Sequence, residues 1–283
     1  MSNDLKFALH LEFIYEKKPL NNMILWIALI YVLIIVGTYA LQKYIIFQPD
    51  ELPLNYQYVF EKPYQEFFIK TTDRETLNAL LFQTDLPRQG LVIYFHGNAD
   101  NLQRWGKFQV DFTSRGYDIL MPDFRGFGKS TGQPDELKFY EDAQLIYDWT
   151  FENFEKYKKS EVIIYGRSLG CAVASNLAMK VQAQKVILET PFKNLGNVIR
   201  TNSRILFFPF NFKFNFPNDE HFPKIKQPIY IFVGTKDWIV PNKSSEQLKP
   251  LLKPTDQYIE IEGGGHKNLS TFKKYQQTLD AIL

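Results

Sequence analysis

Val162-Ile163-Ile164-Tyr165-Gly166-Arg167-Ser168-Leu169-Gly170-Cys171-Ala172-Val173 changes character at its centre. A short β-branched run ends at Gly166, and a small, apolar stretch of helical pattern begins at Leu169. The serine between them fits G-x-S-x-G, a strand, a sharp turn and a helix. The glycines let strand and helix approach closely, and the helix N-terminus beneath the serine favours developing negative charge. Ser168 is therefore a candidate nucleophile. The plainer alternative is a helix-capping serine in a glycine-flanked turn.

Outward from this turn, short apolar runs alternate with amphipathic stretches. Strands are expected at Leu91–Phe95, Asp118–Met121, Val162–Tyr165, Lys185–Leu188, Ile229–Val233 and Tyr258–Ile261. Helices are expected at Leu137–Phe154 and Leu169–Val181. Phe67–Lys70 and Leu77–Phe82 flank Thr71-Thr72-Asp73-Arg74-Glu75, a hairpin with a polar turn. The pattern predicts an α/β fold, a mostly parallel sheet with helices on both faces and an antiparallel leading hairpin. In such sheets function gathers beyond the carboxyl ends of the strands, which puts His96-Gly97-Asn98, Gly166–Gly170, Asp237 and His266 on one rim.

A serine hydroxyl needs a base to take its proton. The four histidines are His10, His96, His221 and His266. When this strand–turn–helix motif carries a triad, the chain order is Ser, then Asp or Glu, then His. His10 and His96 come too early, and His221 precedes the best acid. His266 follows a strand and three glycines, which form a flexible loop able to reach the serine. Asp237, in the turn after Ile229–Val233, is the expected partner of His266, with Asp219 and Glu220 behind it. Oxyanion donors are expected from the backbone N–H groups of Leu169 and Asn98. His96 is read as a structural residue of the Asn98 loop. Asp123-Phe124-Arg125-Gly126-Phe127-Gly128-Lys129-Ser130 lacks phosphate-loop spacing and is read as a structural loop with an Asp123–Arg125 interaction. Cys171 is read as a small packed residue.

These segments, from about residue 65 onward, resemble the α/β-hydrolase superfamily. The resemblance rests on Tyr94–Ala99, Asp123–Ser130, Gly166–Gly170, Gly234–Pro241 and Gly263–His266. The HGN loop, the D-x-R-G-x-G-x-S loop and GRSLG are most similar to the small hydrolases of the α/β-hydrolase-domain 13 and 17 type, and Cys171 departs where glycine or alanine is commoner. That resemblance implies a serine hydrolase of ester or thioester bonds, acting on a lipid-like small molecule or an acylated protein. It also keeps open a serine-aminopeptidase-like peptidase. A non-catalytic scaffold on the same fold is the alternative from another class.

Met23–Leu41 carries no charge and is long enough to cross a hydrocarbon core of about 30 Å. It is read as an uncleaved signal anchor and single transmembrane helix, the rival being a cleaved signal peptide. Lysines 6, 17 and 18 before it, against 43 and 62 after it, favour an exported catalytic domain. The expected organisation is thus a tail (1–22), the anchor (23–41), a juxtamembrane connector (42–64) and a catalytic domain (65–283). A chain starting near Gln48 is expected to stay folded and active. Between Pro191 and Gln227 lies the run Phe207–Pro217, either an apolar flap or packing over the core.

A formal charge of +2 with no dense Lys/Arg run argues against nucleic acid as a partner. One cysteine builds neither an internal disulfide nor a zinc or iron–sulfur site, and the expected Ser–His–Asp chemistry calls for no metal or organic cofactor.

Overall fold

The computed structural model describes residues 3–202 and 212–283, with side chains from residue 22 onward. Phe207, Phe208 and Phe210 of the expected flap therefore lie outside the described residues. The chain divides into two units, Met1–Ile45 and Ile46–Leu283.

The first unit is built on helix α1, Asn3–Ala40. Within it Asn22–Ala40 is a 19-residue apolar stretch, rising roughly 28 Å at 1.5 Å per residue. Its large side chains, among them Leu25, Trp26 and Leu33, are exposed.

The second unit is organised by an eight-stranded sheet. In chain order the strands are β1 (Tyr64–Lys70), β2 (Thr76–Phe82), β3 (Gly90–Phe95), β4 (Tyr117–Pro122), β5 (Val162–Arg167), β6 (Lys185–Glu189), β7 (Ile229–Gly234) and β8 (Gln257–Ile261). Spatially they run β1-β2-β4-β3-β5-β6-β7-β8. The β1–β2 and β2–β4 pairs are antiparallel, and every other pair is parallel. The strand order reverses about β3, so the loops after β3 and β5 open a crevice at the carboxyl rim.

Side chains alternate across the pleat into two cores. Leu91, Ile93 and Phe95 of β3 meet helix α2 (Glu136–Asn153) and helix α3 (Leu169–Ala178) on one face. Val92 and Tyr94 join Trp105, Phe112 and helix α4 (Lys273–Ile282) on the other. Central strands buried on both sides explain why they read as unbroken apolar runs rather than alternating ones. Helix α2 starts cleanly because Asp135 accepts from the Leu137 and Lys138 amides.

Of the stretch expected as a juxtamembrane connector (42–64), the part from Ile46 on belongs to the second unit. Phe47 is 3% exposed, and its ring meets those of Phe139, Phe214 and Phe216 at 5.5, 4.9 and 6.1 Å. Gln48–Pro49 pairs in parallel with Ala99–Asp100. A chain beginning at Gln48 would lack Phe47 and its contacts with these three rings. Phe214 and Phe216 are core residues. They are held by Glu136, whose carboxylate accepts from the Asn215 and Phe216 amides at 2.6 and 2.7 Å.

Candidate active site

Ser168 occupies the turn between β5 and α3 with φ 52° and ψ −115°. The turn is tight because its glycines leave no room. A Cβ on Gly170 would lie 2.1 Å from the Phe95 carbonyl oxygen, and one on Gly166 would lie 2.4 Å from that of Gly170. These contacts are with backbone that cannot swing aside, so both positions require glycine. The Ser168 amide donates to the Glu189 carbonyl at 2.8 Å, fixing the turn to the end of β6.

His266 Nε2 lies 2.9 Å from Ser168 Oγ, and its Nδ1 lies 2.7 Å from Asp237 Oδ2. A carboxylate only accepts, so Nδ1 carries the proton and Nε2 presents its lone pair to the serine. The Asp237 side chain is 2% exposed, and its Oδ1 accepts from the Ile239 and Val240 amides at 2.9 and 2.8 Å. The structure thus brings together three side chains from three rim loops. Asp219, the alternative acid, instead faces Asn194 and Lys193.

The His266 loop was expected to be flexible. It is instead stitched in place. Lys236 N–H donates to the Gly264 carbonyl, Gly263 N–H to Thr235 Oγ1 and Gly265 N–H to Asn268 Oδ1, each at 2.8 Å. Gly263 supplies the left-handed turn with φ 75°.

Asn98 lines the cavity beside Ser168, and Leu169 is the first residue of α3, where a helix leaves its opening amides without an i−4 acceptor. Next to Asn98, a Cβ on Gly97 would stand 3.6 Å from Ser168 Cβ, ordinary van der Waals contact, so this loop runs alongside the serine. His96 is fully buried, and its Nδ1 donates to the Gly97 carbonyl at 2.7 Å. That carbonyl shares a peptide plane with the Asn98 N–H, so His96 sets the direction in which the amide points.

The expected Asp123–Arg125 interaction is corrected. Asp123 faces His96 Nε2 at 3.2 Å, and burial raises its pKa. Arg125 points elsewhere, to Asp142 at 2.6 Å and Asp73 at 2.9 Å. Cys171 is buried, and burial pushes its thiol pKa well up, so it stays a protonated packing group.

The cavity over Ser168 measures about 380 Å³ and is bordered by Asn98, Arg167, Trp238, His266 and Gln48. A larger hollow of about 610 Å³, beside Arg125, Tyr140 and Lys180, holds none of the three paired residues. Sequence reasoning missed Arg167. Its guanidinium is buried against the rings of Trp105 and Phe108, with Glu189 Oε1 3.2 Å from Nε. Burial works against the cation, but the Glu189 carboxylate and neighbouring tyrosines more than offset this, and its pKa is raised. Tyr165 and Tyr275 donate to the other Glu189 oxygen. The signal available was position alone, an arginine directly before the serine. Trp238, exposed beside Asp237, was likewise not singled out.

The family model for the alpha/beta hydrolase fold matches residues 90–191. Human alpha/beta hydrolase domain-containing protein 17B is 28% identical over 222 residues, covering 77% of this chain and 75% of that protein. Protein bem46 of Schizosaccharomyces pombe is 30% identical over 195 residues, or 64% of this chain and 63% of its own length. Among solved structures, the Pyrococcus furiosus esterase Pf2001 aligns with a TM-score of 0.65 at 19% identity, covering 84% of this chain and 94% of the esterase. Est1E of Butyrivibrio proteoclasticus aligns in two structures, with ferulic acid bound at a TM-score of 0.61 and 16% identity, covering 76% of this chain and 97% of the esterase, and in a second structure at 0.60 and 14% identity. The strand order, the family match and these relatives agree: the chain has the α/β-hydrolase fold and resembles the α/β-hydrolase domain-containing proteins of the 17B type.

Proposed function

We propose that this chain is a serine hydrolase of carboxylic ester or thioester bonds, tethered to a membrane by the apolar part of α1. The observation that carries the reading is the hydrogen-bonded chain Ser168–His266–Asp237, at 2.9 and 2.7 Å. In it Ser168 Oγ attacks the acyl carbon while His266 Nε2 takes the hydroxyl proton. The C–O or C–S bond breaks as His266 returns that proton to the leaving alcohol or thiol. Water, deprotonated by the same imidazole, then attacks the acyl-serine and releases the acid. Asp237 stays ionised and holds the imidazolium. The Leu169 and Asn98 amides face the oxyanion. No metal or organic cofactor enters this scheme.

A helical rise close to the hydrocarbon thickness supports the anchor. A fluorophosphonate probe tests the chemistry. It should label the wild type at Ser168 and lose labelling in Ser168→Ala; undiminished labelling of that variant overturns the assignment. Alkaline extraction of membranes tests the anchor, since release of the protein into the supernatant would contradict a spanning helix.

A further inference from the structure

Residues 46–52 thread between the loop after β3, which carries Asn98, and the Asp123–Ser130 loop. Asn98 Nδ2 donates to the Ile46 carbonyl. Gln48 pairs with Ala99 and Pro49 with Asp100. Asp50 closes the far end, its carboxylate accepting from Asn101 Nδ2 at 2.8 Å and its carbonyl accepting from the Gly128 amide at 3.0 Å. Leu52 N–H then donates to the Gly128 carbonyl at 2.7 Å. The segment is bolted to the core by Phe47, whose ring is ringed by three other phenylalanines.

We infer that residues 46–52 are a positioning strap for the oxyanion loop, gripping Asn98 through its side chain while Phe47 holds the strap itself in register. The inference rests on the reading of Ser168 as nucleophile. Its physical basis is the steep dependence of oxyanion stabilisation on donor placement. His96 fixes the Gly97–Asn98 peptide plane from the carbonyl side. Nothing in that contact fixes where the plane sits relative to Ser168. The Asn98 amide group reaching Ile46 supplies this second constraint, and the short parallel ladder at residues 48–49 continues it. Five residues, 41–45, separate the strap from Ala40, the end of α1. The same backbone that leaves the apolar helix therefore goes on to brace the site.

The strap residues are positioning residues and touch no reacting atom in the proposed scheme, so a placement role predicts a loss in kcat with KM retained. The test uses the full chain in detergent, with a soluble short-chain p-nitrophenyl ester. Asn98→Leu keeps the volume and the backbone amide but cannot donate to Ile46. Phe47→Ala releases the strap, and Phe47→Leu refills most of the space. Asn98→Leu and Phe47→Ala should each lower kcat about tenfold to a hundredfold, less than outright loss of an oxyanion donor. KM should stay within about twofold, and Phe47→Leu should recover most of the rate. All assays run well below the lowest melting temperature of the set. Should Phe47→Ala fail to fold, Asn98→Leu decides. Wild-type kcat in Asn98→Leu overturns the inference, as does a change confined to KM or to melting temperature. Undiminished turnover in Ser168→Ala would instead overturn the reading of Ser168 as the nucleophile.

Discussion

Asp237 divides its two oxygens between separate tasks: Oδ2 lies 2.7 Å from His266 Nδ1, while Oδ1 accepts the amides of Ile239 and Val240. The carboxylate is thus aimed before it meets the imidazole. An asparagine at this position keeps the shape but offers an N–H to one of the two sides, and either the turn or the tautomer suffers. Asp237→Asn should lower kcat for a soluble ester by roughly a thousandfold to ten-thousandfold, as expected for an orienting carboxylate. Steady-state kinetics check this, and a loss under tenfold would remove Asp237 from the scheme.

Arg167 and Glu189 form a charge pair that is almost wholly buried. Removing one partner strands the other in a medium that solvates it poorly. Arg167→Met should destabilise the protein by about 3–5 kcal/mol. The double variant Arg167→Met with Glu189→Leu should recover much of that, because Tyr165 and Tyr275 hydroxyls lie 3.1 Å apart and can bond to each other. Chemical denaturation of both variants measures the difference. Equal destabilisation of single and double variants would show that the charge pair is not the origin of the loss.

His221 offers a pH test away from the proposed chemistry. Asn176 Nδ2, which can only donate, lies 3.1 Å from its Nε2, so Nδ1 carries the proton and donates to Ser175 Oγ at 2.9 Å. Ser175 in turn donates to Asn218 Oδ1 at 2.8 Å. The ring is held neutral. Its pKa is lowered to about 4 by burial, aided by the charges of Lys224 and Lys180. Below the unfolded value of about 6.5, the unfolded chain takes up a proton that the folded chain refuses. The stabilisation is complete above that value and is lost as pH falls toward 4, by up to about 3 kcal/mol. Denaturation midpoints at pH 7 and pH 5 should differ more in the wild type than in His221→Gln. Identical pH dependence in the two would rule out this residue as the source. The arrangement also shows that this Ser–His contact is no second nucleophilic site, since the imidazole donates to the serine rather than accepting from it.

The strands and the three rim residues were legible because each has a strong local signature. Buried parallel strands are apolar runs bounded by turn residues, and Gly166 and Gly170 mark a close approach that no other side chain allows. The strap was not legible. Its anchoring depends on one phenylalanine and on backbone pairing with residues about fifty positions away, and neither leaves a periodic trace. The Asp123–Arg125 expectation failed for a similar reason. The two side chains are neighbours in sequence, but one reaches the loop after β3 and the other reaches α2, and nearness along the chain says nothing about that divergence. Phe214 and Phe216 looked equally suited to a flap or a core, and their burial against rings such as those of Phe47 and Phe139 decides between them.

The backbone at Ser168 has a consequence for how this protein balances durability against use. With φ at 52° and ψ at −115°, the turn sits where a side chain of any kind is unwelcome. Ser168→Gly should relieve that strain. After the extra freedom gained by the unfolded chain is subtracted, a net gain of about 1 kcal/mol remains. Thermal melting should show it as a rise of a few degrees, with hydrolysis abolished, and a lowered melting temperature would contradict a strained turn. Selection for a sturdier fold alone would therefore favour glycine at this position. Under the proposed reading of Ser168 as nucleophile, the strained backbone is a stability cost that the hydroxyl's role offsets.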